Sequence, residues 1–390
     1  MARLGDIATV ITKGTTPTSL GFNFQTDGVN FIKIESIDEN GKFICEKFDH
    51  INEACHEKLK RSQLQENDIL FSIAGAIGRT AVVTKEILPA NTNQALAIIR
   101  IPQGKINYSF LLYILQSTVV MEQAEKKKQG VAQLNLSLKD IGDLIIPDIP
   151  IEKQQEIVNN LNNVSNLILL RKQQLSKLDE LVKARFVELF GDPVTNEKNW
   201  PRMTLGDICE IGSSKRVFEK DYVPSGIPFF RTKEIVELSK GNPISTELFI
   251  TEEHFAELKK SYGAPKKDDL LISAVGTIGT IWIVSGDFEF YFKDGNLIQI
   301  KSSPTFNSIF MKYLLDELIA NYKKEMSTGT AYSALTIVGL KKMLVYDVPL
   351  DFQEKFADFV KQIDKSKFEV QQSLEKLETL KKSLMQQYFG

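Results

Sequence analysis

The chain has 390 residues, 48 Lys and Arg against 50 Asp and Glu, and 43% hydrophobic residues. At roughly 100–200 residues per domain, that length predicts two or three domains with cores of their own and excludes a small disulfide scaffold. A net charge of −2 with 25% charged residues argues against long disorder, and it gives no compositional hint of nucleic acid, whose usual footprint is a strongly basic domain.

The opening Met1-Ala2-Arg3-Leu4-Gly5-Asp6 lacks the basic and then apolar run of a secretory signal. No apolar stretch approaches the roughly 18 residues needed to cross a bilayer, so the chain reads as cytoplasmic with no membrane partner. Three cysteines, Cys45, Cys55 and Cys209, suit a reducing compartment and give no disulfide framework. Residues 1–150 mix short β patterns with helices: 68–73 and 95–101 read as strands, and 110–128 as a helix.

Residues 151–191 then carry apolar residues at heptad spacing, Leu161, Ile168, Leu175, Val182 and Leu189, with Val164 and Leu178 in the second seam position. Arg171 and Arg185 interrupt this stripe. Forty-one residues of helix predict a rod of about 60 Å. Gly191-Asp192-Pro193 ends it and opens a second globular stretch, 192–349, in which 269–274 and 296–301 read as strands and 308–324 as a helix. The second tail, 350–390, repeats the heptads with Val360, Ile363, Val370, Leu374, Leu377, Leu384 and Tyr388, interrupted by Lys367 and Lys381. Two equal stripes favour pairing with each other. The expected fold is α+β: two similar mixed α/β domains, separated by two long helices that pair as a coiled coil.

The chain is a duplication. Leu4-Gly5-Asp6-Ile7 returns 201 residues later as Leu205-Gly206-Asp207-Ile208, and 67–78 (NDILFSIAGAIG) returns at the same offset as 268–279 (DDLLISAVGTIG). Leu59-Lys60-Arg61-Ser62 returns as Leu258-Lys259-Lys260-Ser261. Gly130, Ala132, Pro150 and Phe190-Gly191 match Gly329, Ala331, Pro349 and Phe389-Gly390 at an offset of 199.

The motifs that would carry chemistry do not hold together. Gly75-Ala76-Ile77-Gly78-Arg79-Thr80 lacks the first glycine and the lysine of a phosphate loop, and its recurrence directly after both strands marks a tight turn. Cys45, His50, Cys55 and His56 match no usual zinc spacing. Asp148 and Glu152 lie too close along the chain for a nuclease carboxylate cluster, and acids of this kind before a helix belong to its cap region. With three histidines and no cofactor fingerprint, the chain reads as one that binds rather than catalyses. Lys58 with Lys60 and Arg61, Lys126–Lys128, Lys259 with Lys260, Lys266 with Lys267, and Lys323 with Lys324 form local basic patches. The recurrence of Lys60/Arg61 as Lys259/Lys260 points to phosphate contact.

The doubled order of globular unit and long helix, the Leu-Gly-Asp-Ile openings, the Asn/Asp-Asp-Ile/Leu-Leu-x-Ser-x-x-Gly-x-Ile-Gly element and the Pro-x-x-x-Gln lead into each helix (Pro150 to Gln154, Pro349 to Gln353) together resemble the specificity subunit of type I restriction-modification enzymes. The resemblance spans essentially the whole chain; Trp200-Pro201, before the second opening, has no counterpart before the first. It implies target recognition domains at 1–150 and 192–349, each reading half of a split, asymmetric DNA site about a pseudo-twofold axis. The spacer helices, 151–191 and 350–390, would then pair antiparallel as a ruler. Its partners would be double-stranded DNA, two methylation subunits and restriction/translocase subunits. No cofactor is expected on this chain, with S-adenosylmethionine, ATP and Mg on the partners.

On that reading, phosphate and base contacts are expected from Lys13, Thr15, Thr16, Gln133 and Asn135 in the first unit, and from Ser214, Lys215, Arg216, Tyr332 and Ser333 in the second. Lys60, Arg61, Lys127, Lys259 and Lys260 join them, with Arg79 as an asymmetric candidate facing Thr280 in the repeat. The helix-pairing residues would be Leu161, Ile168, Leu175, Leu178, Val182, Val360, Ile363, Val370, Leu374, Leu377 and Leu384. A different class stays open: a structural adaptor that assembles partner proteins through its coiled coil without reading DNA, which the near-neutral charge favours.

Overall fold

A computed structural model describes residues 1–127, 135–245, 247–327 and 334–390. Contacts divide the chain into two units, the first discontinuous in sequence, Met1–Lys172 with Gln372–Gly390, and the second continuous, Gln173–Gln371.

In the first unit the central sheet runs in the order Val10–Lys13, Leu96–Arg100, Ile69–Ser72, Thr80–Val82, every neighbour antiparallel. Alternation along a strand sends successive side chains to opposite faces. Ile69, Phe71, Ala97 and Ile99 face one core, with Phe110, Leu161 and Phe389, while Leu70, Leu96 and Ile98 face another, with Ile32, Ala81 and Val83. Burial on both faces explains why these strands read as unbroken apolar runs rather than alternating ones. Filling the cores in this way contributes about 1.5–3 kcal/mol per large side chain. A second sheet orders Asp49–Ile51, Val29–Ile32 and Ala90–Thr92, with the last pair parallel.

The second unit repeats both sheets. Its central sheet is Ile211–Gly212, Leu297–Ile300, Leu270–Ser273, Ile281–Ile283, and its second sheet is Phe249–Ile250, Ile227–Phe230, Tyr291–Phe292, again with a final parallel pair. Leu270, Ile272 and Ile298 face the core that holds Phe186, Phe190 and Phe310; Leu271 and Leu297 face an aromatic core of Phe230, Trp282, Phe290 and Phe292.

The repeated motifs are the joints of this frame. Leu4 and Leu205 are fully buried at the start of four-residue helices, their amides bonded to Leu144 O and Met343 O at 2.9 Å. A Cβ at Gly5 or Gly206 would stand 3.1 Å from the carbonyl oxygen of Gly142 or Lys341, so glycine permits the close approach of the helix Leu138–Gly142 or Ile337–Lys342. Asp68 and Asp269, both buried, accept the amides of Gln65 and Lys266 and hold the turn before each inner strand. Asp68 also receives Arg100 bidentately, Nε and Nη2 each at 2.6 Å.

The helix expected over 110–128 is two helices, Tyr108–Leu115 and Thr118–Lys127. Gln116 reaches Thr80 Oγ1, and Ser117 offers its carbonyl and hydroxyl to the amides of Met121 and Val120, so local side-chain bonds replace a continuous helical ladder there. The second unit, with no Ser-Thr at this place, keeps one helix, Ser308–Ser327.

The two long helices are Ile151–Phe190 and Leu350–Phe389. Gln154 and Gln353 are buried near their starts; each donates to the loop carbonyl behind it (Ile149, Val348) and accepts the amide of Asn107 or Asn307, the residue that caps the unit's principal helix. In the first unit, residues 151–172 run antiparallel to 372–390, with Asn160 on the Tyr388 hydroxyl and Lys172 on Glu378. In the second, 173–190 run antiparallel to 350–371, with Asp179 on Lys367 and the Arg185 guanidinium over the Phe359 ring. Among the pairing candidates, Leu161, Val182, Val360, Val370 and Leu374 are buried, while Ile168, Leu175, Leu178, Ile363, Leu377 and Leu384 are half-buried. Among the described residues no helix is long and apolar enough to cross a membrane.

Candidate nucleic-acid interface

The glycine turn is scaffold in both units. Ser72 Oγ donates to Ala76 O and accepts the Arg79 amide; Ser273 Oγ does the same with Thr277 O and the Thr280 amide. Gly75, Gly78, Gly276 and Gly279 have φ between +65° and +92°, the left-handed region where glycine carries no steric penalty. Arg79 sends Nη1 to the carbonyls of Ile34 and Ile37, at 3.2 and 3.0 Å, bracing the loop that crosses the turn.

The loop after the first strand of each central sheet is clasped to the end of the parallel strand of the second sheet. In the first unit Gly14 packs so tightly there that a Cβ would lie 1.7 Å from Thr92 O. Lys13 and Thr15 are exposed beside it, and Thr16 Oγ1 bonds Gln94 Oε1. In the second unit Ser213 and Ser214 donate to Leu297 O and Phe292 O, at 2.9 and 2.6 Å. The Lys215 amide donates to the Tyr291 hydroxyl, whose pKa burial pushes up, so that it stays a neutral partner. The Lys215 ammonium lies 5.4 Å over the Tyr262 ring, and Arg216 Nε bonds Asp294 Oδ2 at 3.0 Å.

The doubled basic patches flank the same strand. Lys60 and Arg61 are exposed on a short turn whose base is bonded by buried Asn91, with Nδ2 on Leu59 O and Ser62 Oγ and Oδ1 against His56 Nδ1. Lys259 and Lys260 are exposed near the end of Glu252–Tyr262, the helix that carries Tyr262; Lys259 also pairs with Glu289. The structure thus brings Lys13, Thr15 and Thr16 to the end of Ala90–Thr92, and Lys60 with Arg61 to the turn that Asn91 of the same strand holds. Likewise it gathers Ser214, Lys215 and Arg216 with the Lys259–Tyr262 helix end around Tyr291. This edge offers ammonium groups for phosphates and exposed polar side chains for base edges.

The other candidates lie apart from this edge. Lys127 is half-buried at the end of its helix, facing Asp140, whose carboxyl lies below its ordinary value chiefly through the Ser137 hydroxyl. Asn135 is exposed, bridging to Ala74 at the far end of the inner strand. Gln133, Tyr332 and Ser333 lie outside the described residues. The sequence reading overlooked Gln94, Asp294 and Tyr262; their only signal was position, since Gln94 and Asp294 stand 200 residues apart, as Thr16 and Arg216 do. Among the described residues no group of three or more His, Cys, Asp or Glu converges to hold a metal, and Cys45 is exposed while Cys55 is buried.

A family model described as the type I restriction modification DNA specificity domain matches residues 1–180 and again 197–381. The chain is 25% identical over 407 aligned positions to a putative type I restriction enzyme MjaX specificity subunit of Methanocaldococcus jannaschii, covering 98% of this chain and 90% of the relative. The fold is similar to that of the S subunit of a type I restriction-modification system from M. genitalium, with a TM-score of 0.55 at 16% identity, over 100% of this chain and 95% of that one. It is also similar to a chain solved in a study of complex assembly and conformational transition of the type I R-M system, with a TM-score of 0.63 at 18% identity, over 100% of this chain and 96% of that one.

Proposed function

This chain belongs to the type I restriction-modification DNA specificity family, and from that premise we propose that its two units read the two unlike halves of one split DNA site. As a member of that family it is a DNA-recognition subunit with two target recognition domains. The observation that carries the finer reading is the double match of the family model, on two stretches that fold with the same strand order and present the same kind of basic, loop-lined edge.

On this reading basic residues set the register on phosphates while loop side chains read base edges in the grooves. The long helices fix the gap between half-sites and dock two methylation subunits, with restriction and translocase subunits joining through that complex in the cytoplasm. The chain itself supplies recognition and no chemistry, leaving S-adenosylmethionine, ATP and Mg to its partners. Half-sites about one turn of B-DNA apart, ~34–36 Å, are the spacing that two like readers address. The test is to co-express the chain with the methylation subunit of its system and map modified bases across a genome. A bipartite motif is expected, and exchange of residues 1–150 for another such unit should change one half only. No bipartite motif, or a change in both halves, refutes the reading.

A further inference from the structure

We propose that Thr16 with Gln94 in the first unit, and Arg216 with Asp294 in the second, set which base each unit accepts at one position of its half-site; the inference rests on the half-site reading above. The two pairs occupy the same place. Thr16 and Arg216 each follow by five residues the strand position aligned with the inner strand, Ile11 opposite Ile99 and Ile211 opposite Ile300. Gln94 and Asp294 each follow by two residues the end of the parallel pairing, Thr92 opposite Ile32 and Phe292 opposite Phe230. In both units the two side chains meet, as hydroxyl on amide in one and as an ion pair in the other.

Several bonds of the frame around them are repeated, although Asp68 also takes Arg100 where Asp269 takes Gln299 Nε2. Asp68 and Asp269, Ser72 and Ser273, and Gln154 and Gln353 are the same residue types making the same bonds. At the clasp the contact is kept while both of its members are replaced. That is the pattern expected of one scaffold that reads two unlike half-sites: a frame that keeps its turn and joint bonds and a reading pair that changes as a pair.

The chemistry of each pair names its base. Asp294 is the more buried member, its side chain 17% exposed against 65% for Arg216, and it holds Nε. That bond orients the guanidinium and leaves the two Nη groups as a fork, which matches O6 and N7 of guanine in the major groove. In the first unit the Thr16 hydroxyl takes one lone pair of Gln94 Oε1. The amide retains its second lone pair and its Nε2 donors, the set that matches N6 and N7 of adenine. The second unit therefore reads a guanine through Arg216, with Asp294 as a positioning residue, and the first an adenine through Gln94, with Thr16 as its positioning residue.

The experiment uses the full chain, co-expressed with the methylation subunit of its system, and maps modified bases for the native chain, for Thr16→Arg with Gln94→Asp, for Arg216→Lys and for Asp294→Asn. The double exchange is expected to convert one adenine of one half-site to guanine. Arg216→Lys keeps the charge and loses the fork, so discrimination at one base of the other half should fall about 5- to 150-fold while the native site is still modified. Asp294→Asn should relax that same base. If Arg216→Lys and Asp294→Asn give the native motif, the assignment of the pair is overturned while half-site reading stands, and this holds even where the double exchange modifies nothing. A native map without a bipartite motif, or single variants that alter both halves, overturns the half-site reading itself.

Discussion

Replacing Phe389 with Ala should destabilise the first unit, although its core is otherwise built mainly from residues more than two hundred positions earlier. Phe389 is 5% exposed and its ring stands 5.6 Å from that of Phe110, edge to face, within the core formed by Phe71, Ile99 and Leu161. Truncating a buried phenylalanine removes its transfer energy and leaves a cavity, together about 3–5 kcal/mol. For a unit of this size each kcal/mol moves the melting temperature by about 2–4 °C, so a fall of roughly 6–20 °C is expected. Hydrogen exchange read by mass spectrometry assigns the loss: amides of 69–72 and 108–115 should open more readily, and those of 270–273 should not. Phe368→Ala is the control, since that ring is 63% exposed and should change stability by less than about 0.5 kcal/mol. A cost below about 1 kcal/mol for Phe389→Ala, or one that appears at 270–273, would refute the reasoning.

Asp68→Asn removes the charge and one of the two oxygens that accept from Arg100, and turns an N–H donor toward the guanidinium at a fully buried site, so it should cost about 2–4 kcal/mol, read as a lowered urea midpoint with unchanged slope. Lys381 stands at a seam position where burial, and Lys172 beside it, hold its pKa below the ordinary lysine value. The unfolded chain therefore binds the proton more tightly, and stability should rise as pH climbs from the lowered value toward the ordinary 10.5. Lys381→Met should raise the melting temperature at pH 7.5, by an amount corresponding to about 0.5–1 kcal/mol, and a fall would contradict this account. Burial pushes the Cys209 thiol up to about 12, so at pH 8 it holds almost no thiolate and should resist iodoacetamide in the folded chain, whereas exposed Cys45 is accessible; peptide mass spectrometry distinguishes the two. The isolated chain, at −2 net charge, should bind DNA weakly and lose that binding steeply between 50 and 200 mM salt; a salt-independent affinity would remove phosphate contact from the account.

The repeat, the strands at 69–72 and 270–273 and the heptad helices were legible because each rests on periodicity or self-similarity, signals that survive without tertiary knowledge. The glycine turn was legible as a turn for the same reason: Gly75 and Gly78 recur where the backbone needs φ above zero. The break at Gln116-Ser117 was not legible, because it depends on Gln116 finding Thr80, a contact made across the fold. Arg79 shows a role that sequence alone does not display. A lone basic residue beside a turn gives no sign in the sequence that its guanidinium braces the Ile34 and Ile37 carbonyls. The clasp residues Gln94 and Asp294 sit in ordinary polar loops, and only the folded chain shows that they meet Thr16 and Arg216.

Phe389 and its neighbours also fix an order of events during synthesis. The sheets and helices of residues 1–150 leave the ribosome first, yet the face they present to 372–390 stays uncovered until those residues emerge, many seconds later at about 5–20 residues per second. The second unit, by contrast, needs nothing beyond residue 371. The unit encoded first is thus completed last, and for that interval its apolar surface depends on the rest of the cell to keep it from the wrong contacts. A chain cut short after residue 371 would hold the whole of one unit and leave the other unclosed.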